Sequence, residues 1–330
     1  MKIALNGFGR LGRSIARVIF ANPNVELVGI NDVSDWEILA YLLQNDSVHR
    51  RLDLPIQYQD GFLCVGNQHI KVFNCANPYD LDFASLGADV VIESSGLFLR
   101  REQVQHHLDK GAKRVIFSAP AQDDTPTFVM GVNHHLYNGE PIISNASCTT
   151  NALAPICKIF EEHFRIHNAI LSTIHSYTND QNLLDNAHRS DKRRSRNAGL
   201  NIIPTTTGSA KALHLVLPTL KGKIDGHSVR VPVADVSMVD LALHLHTRAD
   251  LKQVNVLFEH YASEGMRGIV SIDDGYRVSS DFIGNPHSVI LAKDLSFVMQ
   301  GEYVKVMGWY DNEWGYANRI VEMAEYICKD

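Results

Sequence analysis

Cysteine is scarce in this chain of 330 residues. There are five, Cys64, Cys75, Cys148, Cys157 and Cys328. The number is odd and no Cys-x-x-Cys pair occurs, which argues against a disulfide scaffold or a cysteine-built zinc site and predicts a reducing, cytoplasmic setting. No apolar run approaches the ~18 residues that span a bilayer. The apolar opening, Met1 to Gly7, stops too early for a signal peptide, so neither export nor a membrane partner is expected. Excess charge of one sign is also small, with 31 Lys+Arg against 37 Asp+Glu and a net charge of −6. That balance argues against a protein built mainly to hold nucleic acid. Repeats, low-complexity tracts and a Pro/Gly linker are all missing.

What is present is an ordinary globular composition, 45% hydrophobic and 21% charged. The length suggests two domains at roughly 150 residues each. In the first half, short apolar runs alternate with helical patterns. Strands are expected over residues 2–6, 26–30, 88–93 and 114–118, and helices over 10–20 and 102–110, with Ile15, Val18 and Ile19 on the core face of the first helix. Such alternation predicts βαβ units around a parallel sheet buried on both faces. Beyond residue 147 the pattern changes. A helix over 151–163 is followed by longer strands with period-two alternation at 169–174, 227–233, 236–245 and 304–310. The expected fold is therefore α/β, a Rossmann-type parallel-sheet domain over 1–147 plus an α+β domain over 148–312 with a mostly antiparallel mixed sheet. A last helix, about 313–330, is expected to return to the first domain.

Gly7-Phe8-Gly9-Arg10-Leu11-Gly12 follows the first strand and opens the first helix. In a G-x-G-x-x-G turn, glycine lets the backbone approach a pyrophosphate, and the helix N-terminus offers free N–H groups to the anion. Asp32 lies twenty residues beyond Gly12, at the end of the second strand, where a carboxylate can accept from a ribose diol and repel a 2′-phosphate. The pattern predicts a dinucleotide, NAD over NADP.

Cys148 sits within Ser144-Asn145-Ala146-Ser147-Cys148-Thr149-Thr150-Asn151, directly before a helix. A helix N-terminus there would lower the thiol pKa and favour the nucleophilic thiolate. The other four cysteines read as inert core residues. His175 emerges from an apolar strand into a polar loop, a suitable place for a base or for the partner of a thiolate.

These motifs resemble the phosphorylating glyceraldehyde-3-phosphate dehydrogenase family. The resemblance also covers residues 118–121 (Ser-Ala-Pro-Ala), 130–133, 175–181, 204–211 (Pro-Thr-Thr-Thr-Gly-Ser-Ala-Lys), 229–232 and 309–316. It implies oxidation of D-glyceraldehyde 3-phosphate, in glycolysis or gluconeogenesis, through a thioester on Cys148, with His175 moving protons and inorganic phosphate releasing the acyl group. By the family's pattern, Thr178, Asp180 and Arg230 would hold the substrate's phosphate, and Ser147, Thr149, Thr207 and Gly208 the inorganic phosphate, with Arg230 near both. Asn312 would orient the nicotinamide carboxamide, while Ser95, Gly96 and Ser118 would lie along the cofactor beside Gly7, Gly9, Arg10, Leu11, Gly12 and Asp32. The family implies a homotetramer.

The chain departs from that pattern at Ala152, where many members have a second cysteine, and at 185–188 and 76–78, which lack a proline and an arginine common in NAD-using members. These departures admit NADP as a second cofactor. Arg189, Lys192, Arg193, Arg194 and Arg196 read as a loop near the cofactor or at a subunit contact. His244 and His246 read as outward-facing strand residues, and no metal site is expected. Two rival readings stand beside the leading one. A close relative oxidises erythrose 4-phosphate to an acid, against which the intact 204–211 block argues; a catalytically idle binding or adhesive member is argued against by the presence of both Cys148 and His175.

Overall fold

A computed structural model describes residues 1–329. They divide into two compact units. Residues 1–129, 134–147 and 317 onward form the first, and residues 130–133 and 148–316 form the second.

The first unit is built on strands β1 (Lys2–Asn6), β2 (Glu26–Asn31), β3 (Ile56–Gln59), β4 (Phe62–Val65), β5 (Gln68–Phe73), β6 (Val90–Glu93), β7 (Arg114–Phe117) and β8 (Ile142–Ser144). They form one sheet in the order β8-β7-β6-β1-β2-β5-β4-β3. From β8 to β5 every pairing is parallel, and β5-β4-β3 is an antiparallel meander. The central strands are continuous apolar runs because both faces are covered: all four residues of β6, and the last four of β1, are buried. The strand order reverses at β1, which puts the first loop at a switch point where such sheets bind ligands.

Helices α1 (Arg10–Ala21), α2 (Trp36–Gln44) and α3 (Arg101–Asp109) belong to this unit. Ile15, Val18 and Ile19 are buried as their spacing predicts. Arg17, which that stripe does not foretell, is buried too, and donates to the carbonyls of Leu43, His49 and Arg50.

The main stretch of the second unit opens with α4 (Cys148–Phe164). Its sheet uses β9 (Ile166–Ser176), β10 (Ile203–Thr206), β11 (Ile224–Val231), β12 (Ser237–Leu245), β13 (Val270–Asp273), β14 (Val289–Ala292), β15 (Phe297–Met299) and β16 (Tyr303–Tyr310). The order is β10-β11-β9-β12-β16-β14-β13, with β15 against β16. Five pairings are antiparallel; β9–β11 and β13–β14 are parallel. This is the mixed, mostly antiparallel sheet the alternation predicts. Helix α5 (Leu251–His260) is closed at its start by a reciprocal Asp250/Gln253 capping box. The chain ends on α6 (Trp314–Ile327), which starts in the second unit and continues in the first.

Three cysteines depart from expectation. Cys157 is buried, but Cys64, Cys75 and Cys328 are partly exposed rather than core. Cys64 lies on a hairpin strand with His69 as its cross-strand neighbour, its Sγ 3.4 Å from Nδ1. His106 and His107, by contrast, are buried on α3. The His107 ring stacks on Phe83, and its Nε2 has no hydrogen-bond partner. Burial, then the neighbouring His106 and Lys110, push its pKa down to about 3. The unfolded chain takes up a proton near the ordinary histidine pKa of about 6.5, whereas the fold resists it. This contribution to stability is present above about pH 6.5 and lost as pH falls toward about 3, by at most about 1.4 kcal/mol per pH unit. Urea midpoints of H107L should therefore fall less between neutral and acidic pH than those of the wild type.

Candidate active site

The first unit carries the glycine loop. Gly7 has φ +103°, and a Cβ there would come within 2.4 Å of the Ser95 nitrogen. At Gly12 a Cβ would lie 2.3 Å from the Gly7 carbonyl oxygen. Both positions require glycine for packing alone. Gly9 differs, since a Cβ there would meet nothing within 4 Å. It is the N-cap of α1, with no side-chain cap and no acidic residue in the first turn. An open, uncapped helix N-terminus suits an anion.

Asp32 is tied to this loop, accepting from the N–H of Phe8 at 2.7 Å and of Ser34 at 2.9 Å. An ionised carboxylate has about four acceptor sites, so two remain for a diol. The guanidinium of Arg10 is engaged elsewhere, in an ion pair with Asp46 at 2.8 Å, which with two backbone N–H groups brings the Asp46 pKa down to about 2 against its burial. Arg10 can therefore serve a pyrophosphate through its backbone rather than its side chain. Leu11 is half-buried at the start of α1. Ser95 and Gly96 follow β6, and Ser118 follows β7, its N–H donating to the Glu93 carbonyl.

In the second unit, Cys148 is the first residue of α4 rather than the residue before it. Its Sγ lies 3.7 Å from Nε2 of His175. The register of β9 against β11 sets His175 directly beside Arg230. Nδ1 of His175 is 2.8 Å from the Ser176 carbonyl and 2.9 Å from Nη1 of Arg230, which itself donates to the same carbonyl at 2.8 Å. Both neutral tautomers are therefore satisfied. With its proton on Nδ1 the ring donates to Ser176, and Nε2 can accept from the thiol. With Nδ1 accepting from Arg230, Nε2–H can donate to a thiolate.

The electrostatics correct one expectation. The helix N-terminus was expected to lower the thiol pKa, yet burial dominates and raises it. Arg230, the Thr149 hydroxyl and the first backbone N–H groups of α4 pull it back. Burial, then Arg230, push His175 down to about 3, with the Ser176 carbonyl opposing and Arg194 adding to the fall. Burial thus favours the uncharged forms of both groups, and Arg230 is the cation that favours thiolate.

The phosphate candidates are unequal. The Thr149 hydroxyl is buried and lies 3.0 Å from the Tyr310 hydroxyl, which also meets Thr173 at 2.9 Å, so it faces inward. Thr178 is half-buried in the loop after β9. Thr207 accepts from the Ser209 N–H, and Gly208 is open. The carboxylate of Asp180 accepts from Arg194 and from Nε2 of His188. Being an acceptor only, Asp180 can serve an anion through Arg194 and not directly. Arg194 also donates to Thr205 at 2.9 Å and lies 3.5 Å from Asp191. The sequence placed Arg194 within a basic cluster; no spacing signal set it apart. Ser147 lies in the first unit and is half-buried.

Asn312 is buried, and its Oδ1 accepts from Ser176 at 3.0 Å and from Ser237 at 2.6 Å. Fixing the oxygen aims the NH2 group, a donor for a carboxamide oxygen. Two residues at positive φ flank the reactive segments. Ala146, at 60°, lies two positions before Cys148, and Val236, at 66°, lies just before Ser237. A β-branched residue there is strained, as is common near functional sites.

Comparisons with known proteins point to one family. Residues 1–101 match the family model described as "Glyceraldehyde 3-phosphate dehydrogenase, NAD binding domain", and residues 147–312 match its C-terminal domain. The chain is 52% identical to the glyceraldehyde-3-phosphate dehydrogenase of Helicobacter pylori strain J99, over 99% of each chain. It is 45% identical to glyceraldehyde-3-phosphate dehydrogenase 1 of Bacillus subtilis over 100% of this chain and 98% of that one. Identity to the Geobacillus stearothermophilus enzyme is also 45%, over 99% and 98%.

Arg230 is the largest influence opposing burial at Cys148, so R230L should raise the thiol pKa further and slow alkylation. At pH 8, iodoacetamide labelling of the peptide bearing Cys148 should slow by about tenfold, with labelling at Cys64 unchanged, as read by mass spectrometry.

Proposed function

The chain belongs to the glyceraldehyde-3-phosphate dehydrogenase family, and on that premise we propose that it oxidises D-glyceraldehyde 3-phosphate with NAD and inorganic phosphate to 1,3-bisphosphoglycerate. The observation that carries this reading is the 3.7 Å approach of the Cys148 sulfur to a neutral His175. His175 accepts the thiol proton at Nε2 as the sulfur adds to the aldehyde carbon and returns it to the carbonyl oxygen, giving a thiohemiacetal beside a neutral imidazole. It takes the hydroxyl proton as the carbon loses hydride, leaving a thioester. Bound NAD supplies the hydride acceptor. Phosphate then attacks the thioester carbon, and the sulfur leaves as a thiolate facing Arg230.

The open Gly9, the uncapped start of α1 and the free acceptor sites of Asp32 suit NAD, with Gly7, Gly12, Arg10, Leu11, Ser95, Gly96 and Ser118 around it. Asp32 disfavours a 2′-phosphate, so NAD is preferred over NADP. Asn312 holds the carboxamide. Arg230, Thr178 and Arg194, the last pinned by Asp180, bind the substrate's phosphate. Ser147, Thr207 and Gly208 bind the inorganic phosphate. Thr149 supports the cysteine through its hydroxyl, which also meets Tyr310, and through its backbone N–H.

We further propose a cytoplasmic homotetramer. Among the described residues no helix is long and apolar enough to cross a membrane, and none of the five cysteines is in a disulfide. Two apolar surfaces support contact with further copies. One is the face of the second sheet carrying Ile170, Phe297, Met299 and Tyr303; the other is the loop carrying Leu183, Leu184, Leu200 and Ile202. Exposed apolar groups clustered in this way mark association sites.

C148S should lower turnover at least about 10³-fold, and the wild type caught with substrate and no phosphate should carry an acyl adduct on the peptide containing Cys148. Phosphate-independent turnover preferring erythrose 4-phosphate would overturn the assignment. Paired substitution I170D/F297D should shift the sedimentation coefficient to a smaller assembly, whereas an unchanged tetramer would remove this face from the interface.

A further inference from the structure

β6 ends in an acid that the chemistry above does not use. Glu93 is 1% exposed. Its Oε2 accepts from the Asn6 side-chain amide at 2.6 Å. Its Oε1 accepts from the Ser95 backbone N–H at 2.8 Å and from the Ser95 hydroxyl. The network continues inward. Asn6 Oδ1 accepts from Asn31 at 2.8 Å, and the Asn31 amide closes on the backbone of Cys75 through both its groups. Glu93 thus joins β1 and β6 beneath the glycine loop, next to the Ser95 nitrogen against which Gly7 packs.

All three polar contacts to Glu93 are donors, a set matched to an ionised carboxylate. With the carboxylate ionised, the Ser95 hydroxyl hydrogen is turned inward. Of the two lone pairs on that oxygen, one receives the Leu97 N–H at 3.1 Å. The other is left for a ligand. We propose that Glu93 is a positioning residue that makes the Ser95 hydroxyl an acceptor toward the cofactor, so that this point of the cradle takes a donor such as a ribose hydroxyl and refuses a phosphate oxygen. The inference rests on the reading that Ser95 lines the NAD site.

A protonated Glu93 reverses the polarity. Asn6 Oδ1 is already occupied, so the acid proton goes to the Ser95 oxygen, and the serine hydrogen turns outward. The groups facing the carboxyl are Asn6 from β1 and the amide and hydroxyl of Ser95. None is charged, and no cation offsets the burial, which raises the Glu93 pKa to about 7 against these three hydrogen bonds. The reversal therefore falls near neutral pH.

NAD dissociation constants are measured by calorimetry on the full-length protein from about pH 6 to about pH 8, for wild type, S95A and E93Q. Wild-type affinity should weaken roughly three- to tenfold as pH falls through about 7, the worth of one neutral hydrogen bond. S95A and E93Q should both sit near the weak limit and be flat with pH. A wild-type profile that is itself flat overturns the inference. So does S95A that binds more weakly yet keeps the wild-type slope, or E93Q that keeps it. S95A binding as tightly as wild type at pH 8 instead removes Ser95 from the cofactor site, a failure of the placement on which the inference stands. If E93Q does not fold, the wild-type and S95A profiles decide the matter, because Glu93 is intact in both.

Discussion

The parallel pairing of β9 with β11 sets His175 beside Arg230, and the chemistry of the second unit depends on that register. A shift of one residue would put the two side chains on opposite faces of the sheet. In the observed register one guanidinium acts on two neighbours. It favours the thiolate form of Cys148 and disfavours the imidazolium form of His175. A buried site without that cation would hold an inert thiol, since burial alone penalises the charged sulfur. In the proposed reaction this fixed positive charge stands where negative charge develops on the departing thiolate.

As the proposed cofactor site, the first unit meets a different problem, the binding of an anion without a charged side chain in the loop. Its Arg10 is spent on Asp46 and its Asp32 repels phosphate, so backbone N–H groups at the start of α1 must carry the attraction. Beneath the loop, side chains of Asn6, Asn31, Glu93 and Ser95 form a neutral-donor network around one acid.

Much of this arrangement could be read from residues alone, for identifiable reasons. Strands such as β1 and β6 are covered on both faces and so show as unbroken apolar runs. Long strands such as β12 keep a period of two over enough residues to be seen. The meander β3–β5 and the four-residue strands β10, β13 and β14 are too short to impose a period, and they take shape from their neighbours. At the site, Cys148 stood out because small polar residues crowd the start of a helix. Glu93 was hidden at the end of an apolar strand, with no spacing signal to separate it from a solvated acid. Arg194 was hidden among other basic residues, because its pairing with Asp180 spans fourteen positions of irregular chain. The inward turn of the Thr149 hydroxyl depends on Tyr310, 161 positions away. The direction of the Cys148 shift also escaped, because burial is a property of the whole unit.

Gly9 differs from its two neighbours in the loop in one respect that separates ligand binding from architecture. An extra methyl at Gly7 or Gly12 collides with the protein's own main chain, so those positions answer to the fold. The same methyl at Gly9 projects into vacant room, and the folded chain has no means of sensing it. An alanine there would leave the chain's own packing undisturbed and narrow the open space at the uncapped start of α1.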